Sequence, residues 1–167
     1  MTESFTLKSI STEGIANAVE RAEHYRLLND PEQAESICLD ILAVNDDNER
    51  ARITLILSLT DQFRRGLGSR GGRRAMEQVA KLEGDYERAY YSGLVAERQG
   101  RAHLLQGGIQ RTFAYEGLRE AMQHYEKADA LKPAGVEDAI LRWNACVRTI
   151  QREGLRPRRD EPELPLE

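Results

Sequence analysis

The sequence predicts an all-α protein, on three observations. Apolar residues recur three and four apart through most of the chain, the spacing that lines one face of a helix. Aromatic residues make up only 6% of a composition that is 40% hydrophobic and 31% charged, which suits packing through alanine and leucine better than a β-sandwich. Capping and turn-forming residues punctuate the chain where those apolar stripes end. At 167 residues the chain fits one domain and can bury a core without disulfides or a metal.

Residues 1–10 have no periodicity and read as a flexible lead, followed by a helical domain over 11–154. Ser11 or Thr12 offers an N-cap oxygen for a helix running to about Leu28, with the stripe Ile15, Ala18, Val19, Ala22 and Tyr25. Asp30-Pro31-Glu32-Gln33 starts a second helix: aspartate caps, proline has the fixed φ of the first helical position, and glutamine stands where a capping box wants it. Its stripe is Ala34, Ile37, Cys38, Ile41 and Leu42, and it stops at Asn45-Asp46-Asp47-Asn48, so the two helices form a hairpin.

A third helix over about Glu49 to Arg65 has Ile53, Leu55, Ile56, Leu57, Leu59 and Phe63 on more than one face, which predicts burial on two sides. The four glycines of Arg65-Gly66-Leu67-Gly68-Ser69-Arg70-Gly71-Gly72-Arg73 make helix costly, so 64–74 reads as a loop before a short helix from Arg74 to Leu82. A long helix from Asp85 to about Leu105, a turn through Gly107-Gly108-Ile109-Gln110-Arg111 and a helix from about Thr112 to Lys132 make the next hairpin. A final helix from Val136 to about Arg152 shows Val136, Ala139, Ile140, Trp143, Val147 and Ile150, and ends at Gly154. Residues 155–167 carry both signs of charge and three prolines with no apolar period, which predicts a disordered tail.

Within the hairpin helix, Ala121, Tyr125, Ala128 and Pro133 fall at intervals of four, three and five. This segment resembles the second helix of a tetratricopeptide (TPR) repeat. Ala22, Tyr25 and Ala34 match the same pattern, while Ile41, Asp46 and Arg21 depart from it; Gly93 and Gly100, with Ala89 and Ala96, resemble the small residues of a repeat's first helix. Relative to the first repeat the third carries an insertion of 16 residues near 101–116, and the resemblance covers about 15–135.

The resemblance implies a right-handed α-solenoid of about three helix pairs plus a C-terminal capping helix, since such a helix must stack on neighbours to bury its stripe. It also implies a non-enzymatic scaffold or adaptor that grips a peptide or helix of another protein in a concave groove, with no cofactor. Carried over by position, the groove residues are Glu23, Arg26, Arg50, Ile53, Leu57, Tyr90, Leu94 and Arg98, with Val19, Thr60 and Glu97 beside them. Ile53, Leu57, Tyr90 and Leu94 either receive an apolar ligand face or pack beneath the cap and the inserted segment. Family members that hold a carboxy-terminal peptide use a base and an amide where this chain has Val19 and Glu23, which disfavours that role. A secretion-type chaperone is the runner-up within the class.

The charge distribution frames a different alternative. Residues 1–63 sum to −7, residues 64–74 to +5 and residues 75–167 to −2. The summed field is mildly repulsive to phosphate and argues against whole-protein steering to nucleic acid. Arg64, Arg65, Arg70, Arg73 and Arg74 nonetheless make a candidate anion-binding loop, because glycines expose backbone N–H groups and arginines offer forked donors. The run Gly66-Leu67-Gly68-Ser69-Arg70-Gly71 fits a dinucleotide fingerprint but follows a helix instead of a strand, and no adjacent aromatic is free to stack a base.

Enzyme chemistry finds little support. His24, His103 and His124 form no spaced ligand set; His124 and Glu120 are four apart with no third ligand. Trp143, between Arg142 and Asn144, reads as the residue that packs the last helix on its neighbour, with Arg142 directed to solvent or nearby carbonyls. Cys38 and Cys146 sit on apolar stripes and read as small buried hydrophobes. No stretch approaches the about 20 apolar residues of a membrane span, and nothing near Met1 reads as a secretion leader. The expectation is a cytoplasmic protein, with self-association left open.

Overall fold

A computed structural model describes residues 3–66 and 68–158. Among these the chain forms seven α-helices and no strand: α1 (Ile15–Leu27), α2 (Pro31–Val44), α3 (Glu49–Asp61), α4 (Gly68–Val79), α5 (Asp85–Gln106), α6 (Gln110–Leu131) and α7 (Asp138–Glu153). Each helix packs on the next in sequence, and α3 also touches α1 and α5. None is long and apolar enough to cross a membrane among the described residues.

The local signals for α1 to α3 act as their chemistry dictates. Ser11 Oγ accepts from Gly14 N at 3.2 Å in the 3-10 turn Thr12–Gly14 that leads into α1. Asp30 Oδ1 accepts from Gln33 N at 3.2 Å with Pro31 at the first position of α2, and Asn48 Oδ1 accepts from Ala51 N at 2.9 Å at the start of α3. As its apolar residues predicted, α3 is buried around most of its circumference, from Ala51 through Leu55, Ile56 and Leu59 to Thr60. It ends at Asp61, four residues short of expectation, and the chain turns through a 3-10 segment at Phe63–Arg65.

The glycine-arginine segment departs from the sequence reading. Of residues 64–74, those from Gly68 onward are helical, so α4 begins six residues earlier than predicted. Packing overrides propensity here: Gly71, Ala75 and Val79, four residues apart, form a buried face with Gly72 beside it. A Cβ on Gly71 would lie 3.0 Å from the Phe63 ring, and one on Gly72 would strike the Gln99 amide, so the glycines let α4 approach where a larger residue could not.

Three apolar clusters follow the chain. Ile15, Val19, Ile41 and Ala51 join α1, α2 and α3, and Ile10 of the lead packs against them, while residues 3–9 are exposed. A second cluster, with Ala22, Cys38, Leu55, Phe63, Val79 and Val95, runs from α1 to α5. A third joins α5, α6 and α7 through Ala96, Leu118, Tyr125, Ala139 and Cys146. Trp143 packs on that third cluster, as its stripe predicted. So does Leu155, 7% exposed, which extends order one residue past Gly154; Arg156, Pro157 and Arg158 are exposed, and residues 159–167 of the expected tail lie outside the described residues.

Residues 101–116 prolong the helix and then turn, as expected: α5 and α6 span 22 residues each, joined by a turn at Gly107–Ile109. They run antiparallel, since Gly93 lies against Tyr125, Gly100 against Gly117 and His103 against Gln110. At Gly100 and Gly117 the two backbones touch. A Cβ on Gly117 would lie 2.9 Å from Gly100 Cα, and one on Gly100 would lie 3.1 Å from both Ala114 O and Leu118 N. Gly100→Val is therefore expected to cost about 2 kcal/mol by overpacking, read as a fall in Tm of about 4–8 °C. An unchanged Tm by circular dichroism would show that the helices separate there without penalty.

Candidate functional site

One face of the molecule is built from the odd-numbered helices. On α1 the residues Glu23, Arg26 and Leu27 lie three and four apart; on α3 the same spacing aligns Arg50, Ile53, Thr54, Leu57, Thr60 and Asp61. On α5 it aligns Glu87, Glu97, Arg98 and Arg101. These side chains line two adjoining cavities that share Arg26 and Leu27. One, of about 500 Å³, is floored by Ile53, Leu57 and Leu27 and rimmed by Glu23, Glu49, Arg50 and Glu87. The other, of about 560 Å³, is lined by Arg26, Arg64, Arg98, Arg101 and Arg142 with Asp61, Glu97, Thr60 and Asn29.

The groove residues expected from the sequence fall into two groups. Glu23, Arg26, Arg50, Ile53 and Leu57 line the first cavity and Arg98 the second. Leu94 does not reach either; it is 1% exposed, sealed inside the helix packing. Tyr90 is half-buried on the third cluster, its ring 5.9 Å from Tyr86 in a stack and 5.8 Å from Tyr125. Val19, at 3% exposure, belongs to the first cluster and is likewise core. Val19 packs with Ile41 of α2 and Ala51 of α3, and Tyr90 with Tyr125 of α6, so these positions serve helix packing.

Of the candidate anion loop only Arg64 joins the groove. Arg65 pairs with Glu32 at 3.2 Å, Arg74 pairs with Glu35, Arg70 borders a small cavity beside Leu59 and Gln62, and Arg73 is exposed. With 68–74 wound into α4, Arg70 and Arg74 line that small cavity together and Arg64 lines the second cavity of the groove. Among the described residues no group of three His, Cys, Asp or Glu side chains stands close enough to hold a metal ion.

Two ion-pair centres organise the second cavity. Asp61, at the end of α3, accepts from Arg26 Nε of α1 at 2.6 Å and also pairs with Arg98 of α5. Arg98 is held below the ordinary arginine range, chiefly by burial; Asp61 opposes this, and Arg26 and Arg142 add like-charge repulsion. Glu97, with no exposed surface, accepts from Tyr125 Oη of α6 at 2.6 Å and from Arg101 Nε at 2.8 Å, and Arg142 of α7 stands 3.5 Å away. Arg101 reaches on to Thr149 Oγ1 at 3.2 Å. Arg142 thus reaches a buried carboxylate while 39% of its side chain stays exposed. At the other end Glu23 and Arg50 pair through both nitrogens, at 2.7 and 2.6 Å, on an exposed rim where water weakens the attraction.

Asp61, Arg101 and Arg142 escaped the sequence reading. Arg101 lies four residues from Glu97, a spacing that signals a helical ion pair. Asp61 and Arg142 find partners 35 and 45 residues away, and pairs of that reach leave no local pattern.

Removing one partner from a buried charge centre strands the others. Glu97→Ala is expected to cost about 3–5 kcal/mol, and Tyr125→Phe, which deletes only the hydroxyl that Glu97 needs, about 1–3 kcal/mol. Urea unfolding of each variant measures both, and a null effect of Tyr125→Phe would mean water replaces the hydroxyl.

The thiols predict an alkaline limit. Burial, aided by Glu23 at Cys38 and by Glu97 at Cys146, raises each from 9.0 to about 12, and burial followed by Glu97 raises Tyr125 too. A group raised on folding contributes stability below its unfolded value and loses it as pH climbs toward the folded one. The urea midpoint should therefore fall from about pH 9 upward, and less so in Cys38→Ala/Cys146→Ala than in the parent chain.

The chain matches no protein-family model, no curated protein and no solved structure.

Proposed function

We propose that the protein is a non-enzymatic interaction scaffold or adaptor, a degenerate TPR-type stack of helical hairpins that receives a segment of another protein along its α1–α3–α5 face. The observation that carries this reading is the first cavity, where an apolar floor of Leu27, Ile53 and Leu57 lies open between charged rims. Leu27 is 81% exposed on α1, and an apolar side chain of that size left in water at the mouth of a concave site favours a partner that covers it.

The rims describe the partner. Glu49 and Glu87 line the first cavity as acids and Arg26, paired with Asp61, as a base, while Glu23 and Arg50 satisfy each other. The fitting occupant is an amphipathic peptide or helix whose apolar residues cover Leu27, Ile53 and Leu57, with a base toward Glu49 and Glu87 and an acid toward Arg26. Arg26, Arg98, Arg101 and Arg142 are engaged with Asp61 and Glu97, and Glu23 with Arg50, an arrangement that shapes a binding surface.

Selection of a displayed random-peptide library on the immobilised full chain tests the proposal. Recovered peptides are expected to combine apolar positions with a basic and an acidic one, and Ile53→Glu with Leu57→Glu is expected to lower their affinity at least about tenfold. Both positions are only partly buried, so the variant should keep its helical spectrum. Equal binding to a folded double variant would place the site elsewhere.

A further inference from the structure

The second cavity has a charge its surroundings do not explain. Arg26, Arg64, Arg98, Arg101 and Arg142 converge on it from four parts of the fold, against the two carboxylates of Asp61 and Glu97. Three positive charges are left in excess, inside a chain whose net charge is −4. Asp61 is shared between Arg26 and Arg98, and Glu97 between Arg101 and Arg142, so each carboxylate is already saturated by two guanidinium groups. The remaining N–H donors face a concavity of about 560 Å³. Bringing like charges together at a partly desolvated site is unfavourable, and proteins offset it with a bound anion.

We infer that this arginine-lined cavity is a binding site for a multiply charged oxyanion, a phosphoryl group in preference to a single carboxylate. One carboxylate would leave most of the excess charge uncompensated, whereas a phosphoryl group carries close to two negative charges and presents three oxygens to forked guanidinium donors. The cavity's size admits a phosphoryl group with a small attached body. Arg64, exposed at the mouth beside Asn29, is the gripping residue least engaged in holding helices together. Arg142 brings α7 into the site, so the last helix contributes a ligand contact as well as a packed face. The site stands on its own geometry and does not require a peptide in the adjoining groove.

The phosphoryl group has two sources of the same chemistry: a small phosphorylated molecule, or a phosphorylated side chain on a segment seated over Leu27. Isothermal titration of the full chain with inorganic phosphate and with pyrophosphate, against sodium chloride at matched ionic strength, is expected to give saturable binding that is tighter for pyrophosphate. Arg64→Ala and Arg142→Ala should each weaken it about tenfold, and the uncharged change Ile53→Ser with Leu57→Ser should leave it unchanged. Because Arg142 also faces Glu97, Arg64→Ala is the variant whose fold is not at stake. Groove-binding peptides synthesised with and without phosphoserine distinguish the sources: a gain that disappears in Arg64→Ala assigns the phosphoryl group to the partner segment, and no gain beside intact phosphate binding assigns it to a small molecule. Absence of saturable phosphate and pyrophosphate binding, or binding that Arg64→Ala leaves unaltered, overturns the site. Either result leaves the peptide reading of the groove to its own variants.

Discussion

The Glu97 carboxylate has no contact with water, and a buried charge of that kind is costly unless its lone pairs are filled by well-placed donors. Here they come from three helices: Tyr125 of α6, Arg101 one turn along α5, and Arg142 of α7. Apolar packing alone tolerates sliding, because one methyl group serves nearly as well as another. A shared carboxylate does not. A shift of α7 by one turn would remove Arg142 from Glu97, so the same atoms that stabilise this part of the molecule also fix its register.

Asp61 performs the equivalent task nearer the amino terminus, tying α1 to α5 across the end of α3. Between them the two carboxylates draw four arginines onto one face. Holding the helices and charging the groove are therefore one arrangement: the residues that set helix positions also give the second cavity its electrostatic character. The first cavity, floored by aliphatic side chains and rimmed by a water-exposed ion pair, carries much less of this structural duty.

Six of the seven helices were legible in the sequence to within a few residues, because their caps and stripes are local events: an aspartate oxygen before Pro31, an asparagine before Glu49, a three-residue turn at Gly107. The helix α4 was not. Its glycines carry a real propensity penalty, and what outweighs it is contact with Phe63 and Gln99, residues outside the segment. Had Gly71 been counted as a small helical residue with Ala75 and Val79, the buried stripe would have been visible. The candidate site divides the same way. Glu23, Arg26, Ile53 and Leu57 were expected from the repeat resemblance, which says nothing of how deeply a neighbour covers a position, and Leu94 is buried. Arg142 is partly exposed, and its contact with Glu97 was not legible because that partner lies on a different helix.

The glycine seam between α5 and α6 has a consequence for how the molecule comes together. Two long helices joined by a three-residue turn meet through contacts close in sequence, so little chain entropy is lost in closing them. Onto this hairpin packs α7, with Arg142 at 3.5 Å from Glu97. The amino-terminal hairpin joins through two apolar clusters and the part-buried Arg26–Asp61 pair, with the exposed Glu23–Arg50 pair at the rim. A segment seated in the proposed groove would touch α1 and α3 together and act as a clasp across that end of the molecule.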